Sequence, residues 1–414
     1  MLAEETEDEE EMAACVLLVQ MAMEDAQHRR SETRNPHRLY LTRADLLPNP
    51  RINTPWQHLF MRQNDRAFIT TMGVNVHTFS QILNSGFALQ WNTTPIPRVD
   101  SAATGAPRLG RRSLDAAGAL GLVLHYLNST MHETSLQEIF ALIPATVSRY
   151  LNFSMAILLE ALRSMPEANV TWPTQEREYN ELSELIQSRH SLLKGAFGFI
   201  DGLNLAVQVS DDDEIENATY NGWLHDHFIS NVLVFSPKGH ITGCRLNAPG
   251  SWHDAKIAQP IYTKLREHTP DGFYLVADTA FPRGTRSIQD RIKTPLKEGA
   301  KLPRDPQKRQ SLLGFNRQLL SCRQAAEWGM RTLQGSFGRL RMPLQIANSK
   351  ARAELLEVCV RLQNVRTSLV GINQIRNTYE PIWRARILTS ISHDCGVSLE
   401  SCSADDACGP ANRI

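Results

Sequence analysis

Lys194-Gly195-Ala196-Phe197-Gly198-Phe199-Ile200-Asp201-Gly202-Leu203-Asn204-Leu205-Ala206-Val207-Gln208-Val209 reads as an apolar strand with a carboxylate in its middle. Taking an aspartate out of water is costly unless it is paired, protonated or bound to a cation, so Asp201 needs something nearby that favours negative charge. Two later segments supply matching carboxylates. Phe273-Tyr274-Leu275-Val276-Ala277-Asp278-Thr279-Ala280-Phe281 is a second apolar run, and Asp278 stands where it gives way to the breakers Pro282 and Gly284. Glu327 lies in a helical pattern in which Leu319, Cys322, Ala326, Met330 and Leu333 recur on one face. A mid-strand Asp, a strand-end Asp and a helical Glu form the arrangement that can hold two divalent cations about 3.5 to 4 Å apart for in-line phosphodiester chemistry.

Working outward, residues 229–235 read as a strand, Ser236-Pro237-Lys238-Gly239 as a turn and 241–247 as its antiparallel partner. A helix is expected over 253–268, then the strand that ends at Asp278. This order resembles that of an RNase H-like mixed sheet, in which the first and fourth strands are neighbours, an adjacency that would bring Asp201 and Asp278 together. Asp211-Asp212-Asp213-Glu214 reads as a solvated hairpin tip, and His225 and His227, flanking Asp226, as a surface pair. Asp254 stands at a helix start, where a carboxylate satisfies free N–H groups. Arg323 precedes Glu327 by one helical turn, placed to steady that carboxylate or to meet phosphate.

Toward the N-terminus, residues 56–87 carry a helical pattern, and 91–110, rich in proline and glycine, read as a linker. Residues 114–127 form an apolar helix. Ser135-Leu136-Gln137-Glu138 has the form of a capping box opening a second helix, and Pro144 suits the first turn of a third. The third buries Val147, Tyr150, Leu151, Ser154, Met155, Leu158 and Leu162. In a helix-turn-helix of this form Thr146, Ser148, Arg149 and Asn152 would meet a DNA groove. A plain helical bundle supporting the sheet gives the same pattern.

Hydrophobic residues make up 42% and charged residues 21%, the composition of an ordinary globular chain, and the formal charge is zero. Seven acids fall between Glu4 and Glu11, and setting that run aside leaves the rest positive by about seven, a balance suited to a polyanionic partner. Nine basic residues against three acids lie between Arg283 and Arg309, a stretch that could follow a phosphate backbone or simply be solvated. Arg111-Arg112 and Lys308-Arg309 read as solvated patches or import signals. Cysteines 15, 244, 322, 359, 395, 402 and 408 show no CxxC pairing, as expected of free thiols in a reducing compartment. No apolar run is long enough for a membrane span. There is no GxxxxGK[ST], HExxH or GxSxG, so NTPase, zincin and serine-hydrolase chemistries lack support.

Phe199-Ile200-Asp201-Gly202, Pro249-Gly250-Ser251-Trp252-His253-Asp254, Ala277-Asp278-Thr279-Ala280-Phe281, and Arg323 through Glu327 followed by Phe337-Gly338-Arg339-Leu340 together resemble the ordered motifs of the DDE endonucleases of PIF/Harbinger-type DNA transposons. Leu203-Asn204 stands where that family usually has Thr-His, and Ala277 to Phe281 replaces a Gly-Asp-x-Gly-Tyr pattern; neither change touches a carboxylate. The resemblance implies a mixed α/β protein, with an RNase H-like catalytic sheet and an N-terminal all-α helix-turn-helix domain. It also implies cutting at transposon ends and strand transfer, by two Mg2+ or Mn2+ ions on Asp201, Asp278 and Glu327, with Asp254 and Arg323 as auxiliaries.

The expected division is an acidic arm (1–45), a helical region with linker (46–110), the helix-turn-helix unit (111–165), the endonuclease domain (190–385) with a basic insertion (283–310), and a flexible tail (386–414). DNA is the expected partner, met by Arg149, Asn152, Arg283, Arg286, Lys293 and Lys297, with a separate DNA-binding accessory protein or a homodimer as further partners. The nucleus is the expected location. The rival reading is a domesticated transposase-derived chromatin or DNA-binding factor without transposition.

Overall fold

The computed structural model describes residues 40–97, 105–281, 288 and 290–394, together with Met21 and Met23. Most of the acidic arm, Arg283, Arg286 and the last three cysteines lie outside the described residues. Thr54, Asn64 and Asn75 each accept a backbone N–H, from Gln57, Ala67 and Thr78, and so start helices α1 (Pro55–Arg62), α2 (Asp65–Met72) and α3 (Val76–Ile82). A wide turn over Leu83–Phe87 leads into α4 (Ala88–Thr93). Trp91 of α4 is buried, and the Arg112 guanidinium lies 4.9 Å over its ring while donating to the carbonyls of Trp91 and Thr94. The linker expected from residue 91 therefore begins later. Arg112, expected in a solvated patch, is instead an internal cation–π contact.

Asp115 caps α5 (Ala116–Asn128) by accepting from the Gly118 N–H. Helix α6 (Glu133–Phe140) begins after His132, so Ser135 lies inside it and the expected capping box does not open it. Ala141, in the left-handed region at φ 51°, turns the chain, and α7 (Pro144–Ser164) leaves at 94° to α6. Helix α8 (Glu176–Arg189) starts where the Glu178 carboxylate accepts from the Thr174 and Gln175 N–H groups.

The remaining elements are β1 (Ala196–Ala206), α9 (Asp213–Thr219), β2 (Tyr220–Asn221), β3 (Asp226–Phe235), β4 (Ile241–Pro249), α10 (Asp254–Ile257), α11 (Gln259–Glu267), β5 (Tyr274–Ala277), β6 (Ile292–Lys293), α12 (Pro306–Ser336), α13 (Ser349–Val365) and α14 (Gln374–Asp394). The sheet runs β4, β3, β1, β5, β6: the first three antiparallel, then β5 parallel to β1 and β6 parallel to β5, with short β2 also on β3. First and fourth long strands are thus neighbours, as expected. The expected helix over 253–268 is split at Ala258, before Pro260. The acidic run is not a hairpin tip, because Asp212 caps α9 by accepting from Glu214 and Ile215. Lys293, within the expected insertion, belongs to edge strand β6, and helix α14 continues past the tail boundary expected at 386.

Both faces of the sheet are covered. One cluster joins Phe199, Leu203, Leu233, Phe235 and Val276 to Leu319, Ala326 and Met330 of α12, and runs on without a break to Trp56, Phe68 and Phe140 of the N-terminal helices. The other joins Phe197, Ile200, Val232, Val234, Leu275 and Ala277 to Tyr179 of α8 and Ile261 of α11. Phe197 and Phe199 would share a face in a regular strand. They do not, because the pairing of β1 with β5 slips between Ala196 and Gly198, inserting one extra residue. A Cβ on Gly198 would lie 2.7 Å from the Phe235 carbonyl oxygen, so the bulge requires glycine.

Candidate active site

From Phe199 onward β1 alternates regularly, so Asp201 points with Phe199 and Leu203 toward the layer that holds α12. The parallel register pairs Ile200 with Ala277, which sets Asp201 and Asp278 side by side where β5 ends. Glu327 comes from α12, which is pressed close to the sheet at Gly329: a Cβ there would meet the Phe235 ring at 2.7 Å. Strand adjacency thus brings Asp201 and Asp278 together, and one glycine contact brings the helix that carries Glu327 close to the sheet.

Arg323 organises the site. Its Nη1 lies 3.3 Å from Asp278 Oδ2 and its Nη2 2.7 Å from Glu327 Oε1, so one planar guanidinium bridges the strand-end and helical carboxylates. Asp278 also accepts from the Ala280 N–H through Oδ1, at 2.9 Å. Asp201 accepts from the Gly202 N–H at 2.9 Å. Burial, before all else, pushes Asp201 up to about 6; the neighbouring Asp278 and Asp254 charges add to this, while the Gly202 N–H and Arg323 oppose it. A half-buried carboxylate with two like charges beside it is an electrostatic setting that favours a divalent ion.

Asp254 approaches from the other side of β1. It is the first residue of α10 and makes no side-chain cap; His253 is the cap position. Its carboxyl group occupies the space a Gly202 Cβ would fill, with Oδ2 only 2.5 Å from that position. Gly202 faces the layer opposite to Asp201, so Asp254 sits beneath the strand rather than beside Asp201. Burial and the Asp278 charge raise its pKa.

Among the described residues no three His, Cys, Asp or Glu side chains converge as a bound metal ion requires. By donor chemistry the set still fits a hard divalent ion: carboxylate oxygens only, mutually repelling, with Arg323 supplying the cation between two of them. Asp201, Asp278 and Glu327 are the residues that would hold it. Such an ion, when bound, supplies charge neutralisation at a phosphate and an activated water.

The other expected site residues lie elsewhere. Ser148 and Asn152 of α7 are exposed, and Thr146 and Arg149 half-buried. Lys297 is exposed, whereas the Lys293 ammonium lies 4.0 Å from the centre of the Tyr274 ring, and burial lowers its pKa. His227 Nδ1 meets Thr219 Oγ1 at 3.1 Å, so this histidine supports the α9–β3 junction. The double bridge made by Arg323 was not legible in sequence: its helical spacing from Glu327 announces one partner, and only the sheet register announces Asp278.

The mixed sheet places Asp201 and Asp278 on adjacent strands, with Glu327 joined to Asp278 through Arg323. In agreement, residues 200–364 match the family model described as DDE superfamily endonuclease. This supports the superfamily for the sheet and the helices that carry the site. No curated protein and no solved structure matches the chain.

Proposed function

We propose that this protein is a metal-dependent DNA endonuclease of the PIF/Harbinger transposase type, which cuts phosphodiester bonds at transposon ends and joins them to target DNA in the nucleus. The observation that carries this reading is the β1–β5 register that sets Asp201 beside Asp278, with Glu327 tied to Asp278 through Arg323. The strand order, antiparallel for the first three long strands and parallel for the last two, supports an RNase H-like catalytic domain.

The chain's own residues then divide the work. Asp201, Asp278 and Glu327 would hold Mg2+ or Mn2+, Arg323 neutralises two of those carboxylates while no metal is bound, and Asp254 packs against the backbone at Gly202 from below. The 94° break between α6 and α7, with Ser148 and Asn152 exposed early in α7, supports a helix-turn-helix that reads DNA.

The test is incubation of the purified protein with candidate element ends and Mn2+, alongside Asp201→Ala. Site-specific nicking that the variant loses is the expected result; undiminished cutting by a folded variant would reject the assignment. The second reading, a DNA-binding factor without transposition, draws on Arg323, since an internal guanidinium already satisfies two of the three carboxylates. Calorimetry separates the two: binding of Mn2+ that Asp201→Ala abolishes favours the enzyme.

A further inference from the structure

Helix α12 is 31 residues long, yet its buried positions begin only at Leu319. Its first turns stand clear of the core, with residues 306–311 exposed, and packing begins at Phe315. On the N-terminal half of the helix Arg309, Leu313, Gly314 and Arg317 fall on one helical face, and with Arg304 from the preceding loop they line an open groove of about 410 Å³. No carboxylate lines it. Among the described residues none of these three guanidinium groups has a hydrogen-bond or ion-pair partner. Three like charges gathered without a counter-charge favour a polyanion, and the guanidinium fork matches phosphate oxygens.

The helix also fixes where that polyanion lies. Arg309 precedes Glu327 by about five turns, or roughly 27 Å, so the two side chains leave the helix on the same side. A duplex is stiff over that length and rises about 3.4 Å per base pair. Arg317 precedes Glu327 by 10 residues, or roughly 15 Å. Resting on the carboxylate site nuclease reading above, we propose that the Arg304–Arg309–Arg317 groove grips the phosphate backbone of duplex DNA about four to eight base pairs from the bond to be cut. α12 is then a rigid spacer between the grip and the chemistry, and the groove's ligand is duplex backbone without regard to base sequence.

The test compares wild type, Arg309→Ala/Arg317→Ala and Arg309→Lys/Arg317→Lys, all substituted outside the carboxylate site. Binding to a random-sequence duplex of about 30 base pairs is followed by anisotropy in EDTA, so no cutting occurs. Each phosphate contact contributes about 0.9 to the slope of log affinity against log salt. The alanine variant should lose about 1.8 of that slope, so that between about 50 and 200 mM salt wild type weakens about 12-fold more than the variant. The lysine variant should keep the slope. On DNA that the protein cuts, hydroxyl-radical protection about four to eight base pairs from the cut should disappear in the alanine variant.

An unchanged slope in the alanine variant, or retention of that protection, overturns the proposal. A lysine variant that loses as much as the alanine variant also overturns it, since the charges would then not be what binds. Failure of the nuclease reading looks different: wild type binds with the full slope but does not cut in Mn2+.

Discussion

Replacing Asp201 by Asn should stabilise the metal-free protein at neutral pH and leave it nearly unchanged at about pH 4. The structure holds the Asp201 pKa at about 6 against an ordinary 3.8, with burial the largest cause. A carboxylate whose folded pKa is raised is better tolerated protonated. Wild-type stability should therefore be undiminished below about pH 4, fall as pH climbs through the folded value near 6, and stay reduced above it. Two units at 1.36 kcal/mol each set a ceiling of about 3 kcal/mol; because the side chain is only partly shielded from water, a gain of about 1 to 2 kcal/mol is expected for the variant at neutral pH. Asn keeps an oxygen to accept from the Gly202 N–H, so the substitution tests the charge and little else. Urea unfolding in EDTA, run across this pH range on both proteins, measures the difference. A variant no more stable than wild type at neutral pH, or a gain already complete at acid pH, would refute the electrostatic reasoning.

Arg323→Ala removes the internal cation that competes with metal for Asp278 and Glu327. Mn2+ affinity measured by calorimetry should rise about fivefold while metal-free stability at low salt drops by about 1 kcal/mol; weaker Mn2+ binding would show that the guanidinium assembles the site instead of competing for it. Gly329→Val forces a side chain into the Phe235 ring, and should lower stability by about 1 to 3 kcal/mol in thermal or urea unfolding. An unshifted midpoint would mean that α12 does not depend on this close approach.

Much of the sheet was legible because its strands are apolar runs ended by breakers, so β1, β3, β4 and β5 follow from pattern, while the adjacency of Asp201 and Asp278 came from the likeness to an RNase H-like sheet. What escaped was whatever lacked an apolar signature. The first turns of α12, residues 306–311, are exposed and polar, so burial periodicity cannot reveal them; Asp305 accepting from Gln307 and Lys308, ahead of Pro306, was the available start signal. Strand β6 is only two residues long, too short for a periodic signal. Arg112 read as surface because the Trp91 ring it covers lies across a stretch that looked like linker. Asp254 read as a helix cap, since nothing in a linear chain shows that its carboxyl fills the missing side chain of Gly202.

The extra residue near Gly198 acts as a phase shifter for everything downstream in its strand. Deleting one residue there would restore even pairing with the parallel neighbour and keep most of the apolar content, yet it would swing Asp201 through half a turn, into the layer of Tyr179 and Ile261. The face of the sheet on which Asp201 stands is thus set a few positions upstream of it. Neither a side chain at Gly198 nor a change of length can be tolerated there.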